Sequence, residues 1–277
     1  MYRAINDHRQ ELPGVVAVKV AIDERCADEG FRRSFPDQTR MSAVIDHPNV
    51  LPVFHSGEHA GRPYLVMPHV FGVDLARQIA AQALTVRRVL ALLGQVAAGL
   101  DAMHRCGLLH LDVKPANVLV GRSAAIAPNT GRGVGSMSRP PRDERVYLAD
   151  LGLCCFSAER VRRTDGEFVG SPRYAAPEHL RGGPVRAAAD IYALTCVLFA
   201  CLAGRPAFVG DIPTVVTGHL NGRVPSLTGL TGLTGLPGQL DMVIRRGMHP
   251  DPGARFGTSG ELIAAAGDAL GSRAARR

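Results

Sequence analysis

The chain is short of lysine, of long apolar runs and of paired cysteines, and each shortage narrows what it can be. Its longest apolar stretches, Val89–Leu100 and Ile191–Gly204, fall below the roughly 20 residues that span a bilayer, so no transmembrane helix is expected. The N-terminus, MYRAINDHRQ, has no apolar core behind a basic start. Export through a signal peptide is therefore not expected, and a cytoplasmic location is. Six cysteines, at 26, 106, 154, 155, 196 and 201, make no CxxC pair and no His/Cys cluster at zinc-finger spacing. Free thiols in a reducing compartment fit that pattern. Cys154-Cys155 reads more simply as packed thiols than as a redox switch.

Lysine is the most informative shortage. Of 32 basic residues only two are lysine, Lys19 and Lys114, and the rest are arginine. An ammonium on a flexible stem is not interchangeable with a planar guanidinium, so the surroundings of these two positions carry weight. The net charge of +7 alone points weakly to nucleic acid. The arginines are scattered without an aromatic-rich basic stripe, and no nucleic-acid partner is expected.

What is present is an ordinary globular composition, 277 residues with 46% hydrophobic and 21% charged. The β-branched run Val15–Ala21, Tyr64–Met67 and Val50–His55 read as strands. A helix is expected toward the end of Phe31–Val44, with Pro36 against it. From Thr85, a helix-capping residue, apolar positions recur at helical spacing through Val89, Leu92, Leu93, Val96 and Leu100. Ala187–Ala203 is apolar all round and reads as a buried helix. Further helices are expected at Pro213–Leu220, Gln239–Met248 and Ser259–Leu270. A strand-rich beginning followed by a helical remainder reads as α+β with two lobes. Gly121–Glu144, between strands at Val118–Val120 and Val146–Ala149, reads as a mobile insertion. Thr228–Leu236 repeats Thr-Gly-Leu three times, too briefly for a repeat architecture.

Chemistry concentrates in His110–Val120, HLDVKPANVLV. An acid, a cation two residues on and an amide five residues on suit proton acceptance, phosphate neutralisation and Mg²⁺ binding, the set phosphoryl transfer needs. Alone, D-x-K-P-x-N also reads as a turn. Asp150, in YLADLGL, offers a carboxylate at a strand end for a hard cation. GSPRYAAPE at Gly170–Glu178, Asp190 opening the buried helix, and Arg255 in HPDPGARF follow in order, with VAVK at Val16–Lys19 preceding all of them.

This ordered set resembles the bacterial eukaryotic-like (Hanks-type) serine/threonine protein kinases, from Tyr2 to about Leu270. The resemblance implies an α+β two-lobed kinase fold. Its boundaries would be a partial N-lobe at 1–67, a hinge at 68–74, a C-lobe at 75–270 with the insertion at 121–144, and a basic tail at 271–277. It implies ATP and Mg²⁺ as cofactors and protein Ser/Thr hydroxyls as acceptors. Asp112 would be the catalytic base and Lys114 would neutralise the moving phosphoryl group. Lys19 would reach the α- and β-phosphates, and Asn117 and Asp150 would hold Mg²⁺. Met67 would guard the back of the adenine pocket, with the Pro68 carbonyl and the Val70 N–H binding the base. Ser171 would bond Asp112 and Lys114, Glu178 would pair with Arg255, and Asp190 would brace the catalytic loop.

Three departures stand out. The G-x-G-x-x-G loop is missing, and the chain opens Met1-Tyr2-Arg3-Ala4 where relatives have a strand like V-Y-x-A. The chain thus resembles an N-terminally truncated kinase, either through a GTG start assigned too late or through true loss. Gln38 stands where the family has the glutamate that pairs with Lys19, with Asp37 as a substitute if Pro36 shifts the register. Leu111 replaces the arginine that meets an activation-loop phosphate, so activation through Thr164 is not expected. These departures keep a second reading open, a pseudokinase that binds nucleotide or docks proteins without turnover. The oligomeric state is not legible.

Overall fold

The computed structural model describes residues 1–5, 15–21, 41, 44–122, 144–151, 155–156, 168, 170–230 and 236–271. Val15–Val20 (β2) lies between Tyr2–Ile5 (β1) and Arg62–Pro68 (β4), and His55–His59 (β3) pairs on the far side of β4. The result is an antiparallel sheet of order β1-β2-β4-β3, with Lys19 opposite Leu65 and Ala17 opposite Met67. Alternation on β2 puts Ala17 and Lys19 on one face and Val18 and Val20 on the other.

The segment read as a strand over Val50–His55 divides in two. Leu51 N–H donates to the Leu148 carbonyl at 2.8 Å and Leu148 N–H to the Asn49 carbonyl at 2.8 Å, so residues 49–51 pair with the C-lobe. Pro52 has no N–H to continue a ladder, and the N-lobe strand begins at His55. Asn49 strengthens the cross-lobe bond, its amide donating to Gln95 Oε1 at 3.0 Å and the Val146 carbonyl at 2.8 Å. Of the helix expected in Phe31–Val44, Pro36, Asp37 and Gln38 lie outside the described residues.

After β4 the chain enters Gly72–Asp74 (β5), which pairs with Val118–Arg122 (β7), itself paired with Glu144–Leu148 (β8). The close approach of β5 to β7 requires glycine. A Cβ on Gly72 would strike the Val120 carbonyl, and one on Gly121 would come within 2.7 Å of Val70 Cγ1. The sequence did not reveal β5 or the short helix Leu75–Ala80 (α1), capped by Asp74 through the Arg77 N–H. β7 and β8 extend beyond their expected ends, so the insertion narrows to 123–143, outside the described residues. Where β8 begins, Glu144 is held by Arg88 at 2.7 and 2.8 Å.

Val86–Arg105 (α2) starts at Thr85, whose hydroxyl accepts from Arg88 N–H at 3.3 Å. Its apolar stripe, with Val96 and Leu100 wholly buried, faces Ala187–Ala203 (α4) and Ser259–Gly271 (α7). Helix α4 has 14 buried residues and no polar face, as its composition implies, and ends on Gly204 in the left-handed region at φ 70°. Leu108–Leu109 (β6) pairs with Cys155–Phe156 (β9), Pro177–Leu180 (α3) follows, and Ile212–Asn221 (α5) and Gly238–Gly247 (α6) complete the C-lobe. One large cluster of buried apolar residues fills this lobe. A smaller one, Ala17, Ala21, Leu51, Leu65, Met67, Tyr147 and Ala149, joins strands of both lobes.

Candidate active site

The loop after β6 is shaped by a buried carboxylate. Asp190, fully buried on α4, accepts from the N–H groups of His110 at 2.9 Å and Leu111 at 2.8 Å and meets His104 Nε2 at 2.8 Å. Burial alone would raise the Asp190 pKa. The hydrogen bond and charge of His104, with His110 and its N–H, bring it below the usual carboxylate value. Leu111 thereby holds φ 60°, a conformation unfavourable for a bulky residue and fixed here by its N–H bond. Its side chain turns into the apolar core.

The next residue is Asp112. Its Oδ2 accepts from Lys114 Nζ at 2.6 Å and Asn117 Nδ2 at 2.9 Å. Its Oδ1 is buried and has no hydrogen-bond partner among the described residues. Lys114 Nζ also donates to Ser171 Oγ at 2.8 Å, which ties the loop to the segment before α3. The resemblance implies that Ser171 bonds both Asp112 and Lys114, and the direct bond is to Lys114. Asn117 Nδ2 donates further to the Asp112 carbonyl at 2.8 Å, so its amide oxygen is turned away from that pair.

Asp150 follows β8 at φ 68° and is joined to this group through its neighbour, because Ala149 N–H donates to the Asn117 carbonyl at 2.9 Å. His110 makes a second link. Its Nδ1 accepts from Asp112 N–H at 3.3 Å, so the ring proton sits on Nε2 and is donated to the Ala149 carbonyl at 3.2 Å. Lys19 comes from the other lobe to meet Asp150 Oδ1 at 2.6 Å. Burial pushes the Asp150 pKa up. The Lys19 ammonium, and more weakly His110 and Lys114, outweigh it and hold the carboxyl below its ordinary range.

All five charged or amide side chains singled out in the sequence therefore converge. Met67 and Pro68 are buried at the end of β4, and Val70 packs against the two-lobe cluster with Leu119. The Val70 N–H takes no partner among the described residues. Glu178 and Arg255 pair at 2.7 and 2.8 Å, the guanidinium wholly buried. Sequence reasoning missed His104 and Asp101. Asp101 accepts from Ser259 N–H at 2.8 Å and Gly260 N–H at 2.9 Å, so consecutive turns of α2 fasten α7 and α4. The available signal was a polar i,i+3 pair inside an otherwise apolar helix stripe.

The convergence of Lys19 from one lobe with Asp112, Lys114, Asn117 and Asp150 from the other decides the family. The chain belongs to the protein kinases. The protein kinase domain model matches residues 1–226. The serine/threonine-protein kinases PknE and PknJ of Mycobacterium tuberculosis are each 34% identical, over 92% and 94% of this chain and 42% of theirs. The chain thus spans about two-fifths of the length of these curated relatives. Among solved structures, a double-mutant form of the Mycobacterium tuberculosis PknI kinase domain superposes with a TM-score of 0.73. It is 32% identical, over 98% of this chain and 90% of that domain. The kinase fold is therefore the two-lobed α+β architecture expected from the motif order. No helix among the described residues is long and apolar enough to cross a membrane.

Proposed function

We propose that this kinase domain transfers the γ-phosphate of ATP to serine and threonine hydroxyls of proteins in the cytoplasm. The observation that carries this reading is Asp112 Oδ1, a buried carboxylate oxygen without a partner beside an oxygen held by two donors. A carboxylate fixed on one side and unpaired on the other is disposed to accept a hydroxyl proton. The acceptor oxygen then bonds to the γ-phosphorus, its proton passes to Asp112, and the bond to the β-phosphate breaks to release ADP. Lys114, already beside Asp112, neutralises charge on the moving group. Lys19 exchanges Asp150 for the α- and β-phosphates. The Pro68 carbonyl and Val70 N–H hold the adenine, with Met67 behind it.

The donor set fits Mg²⁺. Among the described residues no three His, Cys, Asp or Glu side chains form a metal cage. One carboxylate and one amide oxygen, Asp150 and Asn117, suit a hard cation that completes its shell with phosphate and water. When bound, Mg²⁺ supplies the positive charge that balances the phosphates.

The relatives' names, serine/threonine-protein kinases, support the acceptor class. The test is ³²P transfer from labelled ATP to a protein acceptor by this chain and by Asp112→Ala. Label that requires Asp112 is expected. Equal label in both overturns the assignment of the base, and no label from either favours a nucleotide-binding or docking module.

A further inference from the structure

Beside the Lys114–Ser171 bond lies a cation that the transfer reaction leaves unused. Ser171, bonded to Lys114, caps a single 3-10 turn, Pro172–Tyr174, with Tyr174 N–H closing onto the Ser171 carbonyl at 3.0 Å. Arg173 is the middle residue of that turn and is half-buried. One guanidinium nitrogen, Nη2, donates to the Gly210 carbonyl at 3.0 Å, which anchors the side chain against the loop before α5. A guanidinium has five N–H donors in a planar fork, and no carboxylate among the described residues pairs with it.

Among the described residues, each neighbouring acid already accepts from another group. Glu178 is bound by Arg255 at both oxygens, and Asp190 is sealed inside the C-lobe. Asp211, next to Gly210, caps α5 by accepting from Thr214 N–H at 3.0 Å. In the catalytic loop the exposed side chain beside Asn117 is Ala116, which brings no charge. Around the point where a hydroxyl must approach Asp112, the described residues therefore present Lys114 and Arg173, and no acid among them pairs with Arg173.

From these observations we infer that Arg173 selects acceptors with an anionic side chain, carboxylate or phosphorylated, one to three residues from the hydroxyl that is modified. An extended peptide advances roughly 3.4 Å per residue, and Arg173 lies two residues from Ser171, so an acceptor beside Asp112 brings its near neighbours to the guanidinium. Anchoring at Gly210 lowers the entropy lost when the fork closes on a second oxygen pair, and planar two-point recognition of carboxylate or phosphate is what arginine does best. This inference rests on the kinase reading and assigns a substrate class to it.

The experiment measures kcat/KM for peptides that differ only in one residue, with Ala, Glu, phosphoserine or Arg scanned from three positions before to three after a fixed serine. With the unmodified chain, Glu or phosphoserine at one position is expected to raise kcat/KM about tenfold over Ala, and the gain should shrink in high salt. Comparison of Glu with phosphoserine separates the two anion sources. In Arg173→Gln the anion-to-Ala ratio is expected to fall to about one, and in Arg173→Glu it should invert in favour of Arg peptides. Each ratio is taken within one variant, so a smaller folded fraction cancels. A ratio within twofold of one in the unmodified chain, or one unmoved in Arg173→Gln, overturns the inference while leaving the kinase reading intact. Transfer to no peptide, with Asp112→Ala indistinguishable, overturns both.

Discussion

Asp112 and Asp190 flank the same short loop and are treated in opposite ways. Asp190 accepts from three donors across its two oxygens and lies wholly inside the C-lobe. Asp112 holds two donors on one oxygen and has none on the other. A saturated carboxylate in the interior fixes geometry, because every group around it loses a partner when it is removed. A half-satisfied carboxylate at a cleft stores an unmet demand for a proton or a cation. The comparison teaches that the catalytic loop is built by one aspartate so that the other can be left incomplete.

The largest effect that tests this contrast is on rate. Asp112→Asn keeps the shape and removes the basicity, so transfer is expected to fall about 10²- to 10⁴-fold. Stability in urea should hold approximately, because Asn keeps one oxygen to accept from Lys114 and Asn117. A loss of rate below tenfold, or a marked loss of stability, breaks the contrast from the Asp112 side. The mirror experiment is Asp190→Ala, which strips acceptors from the His110 and Leu111 N–H groups and from His104. It is expected to cost about 3–5 kcal/mol in urea denaturation, and a loss under about 1 kcal/mol breaks the contrast from the other side. Asp190 has a folded pKa below that of the unfolded chain. Its contribution is therefore present above about pH 4 and is lost as pH falls through the lower folded value.

Much of this was legible in the string because the chemistry depends on short-range spacing. Asp112, Lys114 and Asn117 lie within one loop, and the two lysines of an arginine-rich chain both belong to the site. Helices α2 and α4 followed from their apolar patterns, one a stripe and the other continuous. What escaped depends on partners far along the chain. Strand β5 has three residues, exists only because β7 lies beside it, and carries no periodicity of its own. Pairing of Leu51 with Leu148 across 97 residues turned an apparent N-lobe strand into a cross-lobe tie. His104 looked like any polar residue at a helix end, because the carboxylate that gives it meaning is 86 residues away.

An incomplete hydrogen-bond set alone does not mark chemistry, and His219 sharpens the comparison by showing this. It is fully buried, its Nδ1 bonded to the Tyr192 hydroxyl at 2.8 Å and its Nε2 without a partner among the described residues. It packs edge-on against Phe208. Burial lowers its pKa to about 4, outweighing the raising influence of the nearby Arg173 backbone. The unfolded histidine titrates near 6.5, so the folded state binds fewer protons between those values and loses stability as pH falls from about 6.5 to 4. The loss by pH 4 is expected to reach about 2–3 kcal/mol. His219→Gln, which leaves an acceptor for Tyr192, should flatten urea stability across that window. A slope unchanged in the variant assigns the acid sensitivity to another group.

The smallest effect is the sharpest test of what Asp190 builds. In relatives with an arginine before the catalytic aspartate, a phosphate in the activation segment has a cation to meet. Here Leu111 occupies that place, and its side chain joins Val113, Val118 and Leu148 in the C-lobe core. Its backbone is fixed at φ 60° by the bond to Asp190, so the loop already holds its shape without an external anion. A negative charge at position 164 therefore has no partner at residue 111 and no loop conformation left to select. Thr164→Glu is expected to change kcat/KM for an acceptor peptide by less than twofold. An increase of tenfold or more would mean that the loop is assembled by the activation segment, and the division of labour between the two aspartates would be wrong.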